Sequence, residues 1–264
     1  MAKPAFTTTS FPRSRIATFD IGVIGRRRHY VTALLELRVG EARQRIKAAR
    51  AESGERISFT AWLLTVIAAA LRRHPQAAAF RKGGRQLVIP DDVDISVIVE
   101  KEVAGKRVPL PLVIRQVQDK SPARITAEIE AARKGDAAGD TVVLERGTFG
   151  AEKLYYRLPG PLRRLVWRLM LKRPRYLFKR MGNVVVTAVG MMGKVNGWFI
   201  QTSIHPLSFG IGAVTRKPVA QGDQVVVDEV LHMTVLIDHD AVDGAPMARF
   251  LADLTASIES PTGL

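Results

Sequence analysis

The chain has 264 residues, 47% hydrophobic and 25% charged, with a formal net charge of +15, which is enough apolar content for one large core. It has no cysteine, so disulfides, thiolate catalysis and cysteine-based metal sites are excluded together. The start has no apolar run of signal-peptide length, and the longest apolar stretch, Ala61 to Leu71, is too short to span a bilayer. A cytoplasmic protein, soluble or peripheral at a membrane, is expected. In chain order, His29 to Val39 reads as a strand and Gly40 to Glu52 as a polar-faced helix ending before Ser53-Gly54. Ser58 caps a helix over Phe59 to Arg73 that is apolar almost all round and so belongs against a sheet. Strands follow at Gln86 to Ile89, Val93 to Glu100 and Val108 to Ile114. Ser121-Pro122 opens a helix that runs to Lys134 and ends at Gly135. Beyond an irregular region, strands recur at Val184 to Val189, Phe209 to Arg216 and Gln224 to Ile237, and Ala245 to Ile258 closes as an amphipathic helix. This order predicts an α/β sandwich with a large mixed sheet.

The last strand ends in Asp238-His239-Asp240-Ala241-Val242-Asp243-Gly244. A histidine at the end of a rigid strand can serve as a general base near neutral pH. Asp243, past the bend, can fix the backbone or orient a partner. The competing reading of His239 is an ordinary strand-end histidine satisfied by neighbouring carboxylates. Asp238 and Asp240 should lie on the strand face opposite His239; a carboxylate close to the ring would favour its protonated form. The other histidines read as structural. A metal site from Asp238, His239, Asp240 and His232 is set aside, because adjacent strand residues face apart and no helical His-x-x-x-His pair exists. Gly190-Met191-Met192-Gly193-Lys194 lacks the spacing of a phosphate loop.

Residues 206–251, PLSFGIGAVTRKPVAQGDQVVVDEVLHMTVLIDHDAVDGAPMARFL, resemble the C-terminal half of the catalytic domain of dihydrolipoyl acyltransferases from 2-oxoacid dehydrogenase complexes. Arg15-Ile16-Ala17 ahead of Tyr30-Val31-Thr32, Val108-Pro109 and Val185-Val186-Thr187-Ala188-Val189-Gly190 resemble earlier family elements, so the likeness spans most of the chain except roughly residues 140–183. The resemblance implies a chloramphenicol acetyltransferase-like fold: a two-layer α/β sandwich with a large mixed sheet and flanking helices, here one domain over residues 1–264 with a basic helical insertion at about 141–183. It implies acyl transfer between a thioester and a thiol, with coenzyme A as one carrier and a dihydrolipoyl-like thiol or another small acceptor as the other. His239 carries over as the base and Thr187 as the hydroxyl that meets the oxyanion. Asp243 carries over as the structural aspartate, with Arg15 and Arg26 as its possible partners. The family's usual arginine after the histidine is Asp240 here. A homotrimer is implied, with histidine and hydroxyl from different chains. The likeness begins by about Arg13, so no covalently attached lipoyl group is expected on this chain, and a lipoyl or acyl-carrier domain would act in trans. The alternatives are a chloramphenicol acetyltransferase type of O- or N-acyl transfer and a non-enzymatic trimeric scaffold or membrane-surface module that uses the basic amphipathic insertion.

The insertion is the second distinctive feature. Lys153 to Arg180 holds ten Lys or Arg and no Asp or Glu. Leu162, Leu165, Val166, Leu169 and Met170 follow amphipathic-helix spacing, with Trp167 beside the stripe and Pro174 interrupting the run. Three readings stay open: a solvated basic face with the leucine stripe packed on the body, contact with an anionic membrane surface, or an acidic partner or coenzyme A phosphates. No nucleic-acid-binding signature accompanies the charge.

Overall fold

The computed structural model describes residues 6–11, 14–103, 106–134, 154–190, 193 and 195–261; residues 141–153 of the expected insertion lie outside them. Six strands form one mixed sheet: β1 (Tyr30–Arg38), β4 (Ile95–Val103), β5 (Lys106–Ile114), β6 (Val184–Ala188), β7 (Leu207–Gln221) and β8 (Gln224–Asp238). Their order is β1-β8-β7-β6-β4-β5. The β6 contacts are parallel and the other pairings antiparallel. A small hairpin of β2 (Phe80–Lys82) and β3 (Gln86–Val88) stands apart.

Strand alternation sorts the two faces. Leu35 and Leu37 of β1, Val235 and Ile237 of β8, Phe209 of β7 and Val184 and Val186 of β6 share one core with the helices. Those helices are α2 (Gly40–Ser53), α3 (Phe59–Arg73), α4 (Pro122–Lys134) and α7 (Gly244–Glu259). As its composition predicts, α3 is the central one: Trp62, Leu63, Leu64, Ile67 and Leu71 are all buried, and each contributes roughly 1.5–3 kcal/mol by leaving water. Ser58 caps it, its hydroxyl accepting the Ala61 amide at 3.1 Å.

The other sheet face carries Ser208, Gly210, Gly212, His232 and Thr234. Residues 195–205 cover it. Trp198 Nε1 donates to the Leu35 carbonyl at 2.9 Å, and the Gln201 amide meets the Ser208 hydroxyl at 2.9 Å. Glycine permits the close approach: a Cβ on Gly210 would lie 2.8 Å from the Phe199 carbonyl, and one on Gly212 would lie 3.0 Å from that of Gly197.

Helix α1 (Ser14–Gly25) has no counterpart in the sequence reading; Pro174 interrupts the basic run as expected and begins a second helix there, α5 (Gly160–Leu171) being followed by α6 (Pro174–Met181). Packing of the leucine stripe on the body is contradicted. Leu162, Leu165, Val166 and Leu169 are 48%, 47%, 38% and 53% exposed, whereas Arg163, Arg164, Trp167 and Met170 are half-buried. The reason is Asp20 on α1, which is fully buried. Arg163 Nε donates to it at 2.6 Å and the Tyr155 hydroxyl at 2.9 Å, while Trp167 Nε1 donates to that hydroxyl at 3.0 Å. A buried carboxylate without such partners would cost several kcal/mol, so the polar side of α5 turns inward. Burial pushes the Tyr155 phenol up to about 12. Among the described residues, no helix is long and apolar enough to cross a membrane.

Candidate active site

β8 delivers His239 one rung beyond its last strand residue. Tyr30 pairs with Asp238, and the His239 amide continues the ladder by donating to the His29 carbonyl at 2.8 Å. Its side chain is exposed. The bend that follows is built by Asp238, which is 1% exposed. The Asp238 carboxylate accepts the Asp240 amide at 3.2 Å, and its carbonyl accepts those of Ala241 and Val242 at 3.0 and 3.1 Å. Arg28 pairs with that carboxylate, its guanidinium lying 4.5 Å from the centre of the Phe80 ring.

Asp240 is also engaged away from His239. Its Oδ1 lies 3.1 Å from His29 Nδ1 and 3.7 Å from Arg81 Nη1. Both carboxylates beside the candidate base therefore have partners of their own.

Asp243 stands exposed at the N-cap of α7 without a side-chain capping bond. The expected arginine partner is not there: among the described residues no ion pair joins Asp243 to Arg15 or Arg26, and Arg15 lies over Phe11 at 6.0 Å. Register explains this. Arg28 lies two residues before Tyr30, the partner of Asp238, so the arginine at the head of β1 meets Asp238 instead.

Thr187 is half-buried on β6 opposite Gly210, which itself faces Thr234 of β8. His239 is five residues further along β8. Two strand spacings sideways, about 10 Å, and five residues lengthwise, about 16 Å, separate the two positions by about 19 Å. One chain does not bring them together.

On the helix side of the sheet, the face opposite the one Thr187 shares with Gly210, a cleft of about 570 Å³ is lined by Ala188 and Gly190 at the end of β6, by Arg43, Lys47 and Arg50 of α2, and by Ser58, Phe59 and Thr60 at the start of α3. These basic residues were missed, although their spacing of four and three is the signal of one helical face. An α3 N-terminus beside them favours an anion.

The remaining histidines are packed or paired. His232 is buried edge-on to Trp198, with ring centres 4.7 Å apart, and accepts from Lys217 Nζ at 3.1 Å. His74 lies 3.1 Å from Asp253. His205 is buried, which lowers its pKa from 6.5 to about 4, and its Nε2 donates to the Met181 carbonyl at 3.1 Å. Among the described residues, no three His, Cys, Asp or Glu side chains gather to hold a metal ion.

This layout, a mixed six-stranded sheet backed by helices on one face, is the architecture of acyltransferase catalytic cores. The Azotobacter vinelandii dihydrolipoamide acetyltransferase superposes with a TM-score of 0.69 at 18% identity, over 98% of this chain and 97% of that one. A catalytic core of the 2-oxoacid dehydrogenase multienzyme complex from Thermoplasma acidophilum gives 0.64 at 16% identity, over 98% and 100%. The family model for 2-oxoacid dehydrogenases acyltransferase (catalytic domain) matches residues 26–143 and 180–264, and the chain belongs to that family. The match passes over residues 144–179, which include all of α5.

Among curated relatives, the acetyltransferase component of the Rickettsia prowazekii pyruvate dehydrogenase complex is 31% identical over 80 residues, 30% of this chain and 20% of that protein. The succinyltransferase component of the Haemophilus influenzae 2-oxoglutarate dehydrogenase complex is 23% identical over 209 residues, 79% of this chain and 42% of that protein. The chain thus spans between a fifth and two-fifths of the length of these relatives.

Proposed function

We propose that the chain catalyses coenzyme A-dependent acyl transfer, moving an acyl group between a thioester and a dihydrolipoyl-like thiol or other small acceptor, with His239 as general base. The observation that carries this reading is an exposed imidazole held by a rigid turn at the end of β8. Its neutral ring nitrogen would take the proton of the attacking thiol as the sulfur–carbon bond forms. Negative charge then gathers on the carbonyl oxygen, and the Thr187 hydroxyl is the donor proposed to meet it; collapse of that intermediate breaks the original thioester carbon–sulfur bond, and the departing thiolate takes the proton back from His239. The cleft under α2 suits the phosphates of coenzyme A, because Arg43, Lys47 and Arg50 supply charge to it.

The separation of about 19 Å between Thr187 and His239 within one chain supports a homotrimer whose site forms between copies, with the base of one facing the hydroxyl of the next. Asp243, exposed and without an ion pair among the described residues, then acts structurally at the same junction. An acyl-bearing lipoyl or carrier domain would reach that junction in trans. The test is a thiol-release assay with a panel of acyl-coenzyme A donors and acceptors including dihydrolipoamide. His239→Ala should lower turnover by about 10²–10⁴-fold. Absence of His239-dependent turnover with every pair would favour a non-enzymatic scaffold.

A further inference from the structure

The reaction leaves α5 and α6 without a task, and their surface is unusual. On α5, Leu162, Leu165, Val166 and Leu169 form an exposed aliphatic ridge on the side away from Asp20. Trp167 and Arg163, the residues that would ordinarily mark the polar side, are held inward by the Tyr155–Asp20 chain. The ridge is therefore fixed outward by a buried ionic contact and is no accident of a loosely packed helix. Its border on α5 is cationic, with Arg168, Lys172 and Arg173 exposed beside it; on α6, Arg175, Lys179 and Arg180 are exposed, the first two lining a cleft shared with Asp91, Asp92 and Asp94. Tyr176 is 47% exposed, with the Arg180 guanidinium 5.5 Å from its ring centre.

We propose that this face of α5 and α6 docks on an anionic lipid surface, the helix lying in the plane of the headgroups with its aliphatic ridge inserted. Charge decides among occupants. Residues 154–181 hold nine Lys or Arg and no Asp or Glu, so a second copy meeting the same face would bring like charge against like. The ridge presents aliphatic carbon alone, with no hydrogen-bonding side chain at its four positions for a protein partner to read. A cationic border around an aliphatic helix face, with an aromatic at its edge, is what anionic headgroups over acyl chains complement. The family model passes over residues 144–179, and the proposal does not depend on the catalytic reading.

The full chain is tested by co-sedimentation with phosphatidylcholine vesicles and with the same vesicles containing phosphatidylglycerol. Binding to the anionic vesicles should exceed binding to the neutral ones by about tenfold or more and weaken as salt is raised. The double variant Leu165→Ser with Leu169→Ser, at side chains 47% and 53% exposed, should stay folded, as its melting curve shows, and lose about tenfold in anionic-vesicle affinity. Three results would overturn the proposal: no binding of the wild-type chain to anionic vesicles; binding that the double variant retains in full, which is adsorption by charge alone; or a change in oligomeric mass caused by the double variant, which places a second copy on the ridge.

Discussion

Asp238 does more for the histidine beside it than its position suggests. Its carboxylate receives Arg28 and the Asp240 amide, and its carbonyl receives two further amides of the bend, so one buried residue sets the direction in which His239 leaves the sheet. Breaking a buried pair from one side leaves an uncompensated charge and costs about 3–5 kcal/mol. Arg28→Ala should therefore lower the stability measured by urea unfolding by about that amount, with a fall in kcat larger than any change in KM. The aspartate–arginine pairing was legible in kind, since an arginine partner was expected in this motif, but it was assigned to Asp243. What decided the matter was the register of β1 against β8, a contact between residues 210 positions apart, and single-chain periodicity does not encode register at that distance.

At the scale of elements, the pattern of strands and helices was readable because each has a plain physical cause. Long runs rich in β-branched and apolar residues mark β7 and β8, whose inner halves are buried on both faces, and a serine cap with an all-round apolar run marks α3. Helix α5 shows where pattern stops being sufficient. Its leucine spacing gave the helix correctly, but the direction of its faces depends on Asp20, a residue of α1 far away in the sequence. One buried carboxylate outweighs four aliphatic side chains left at the surface, because unpaired it costs several kcal/mol and each aliphatic residue left half-exposed forgoes only part of its roughly 1.5–3 kcal/mol. Asp20→Asn should thus release α5 locally. Amide hydrogen exchange over residues 160–171 is expected to accelerate by about tenfold or more while β8 stays protected; unchanged exchange in α5 would show that the aspartate does not hold it.

For the whole molecule, the sheet itself sets the conditions for function. β6 carries Thr187 in the middle of the sheet and β8 carries His239 past its end, and no side-chain rotation closes a gap of about 19 Å. Sequence likeness named both residues as candidates, but their separation became visible only with the strand order. The central claim, that the active site is shared between copies, is tested most directly by subunit mixing. His239→Ala and Thr187→Ala chains, each nearly inactive alone, are co-refolded and assayed for thiol release. Mixed assemblies should regain a substantial fraction of wild-type turnover, because some junctions pair an intact histidine with an intact threonine. Turnover no greater than the sum of the two variants, in preparations proven by mass to contain mixed oligomers, would contradict the account.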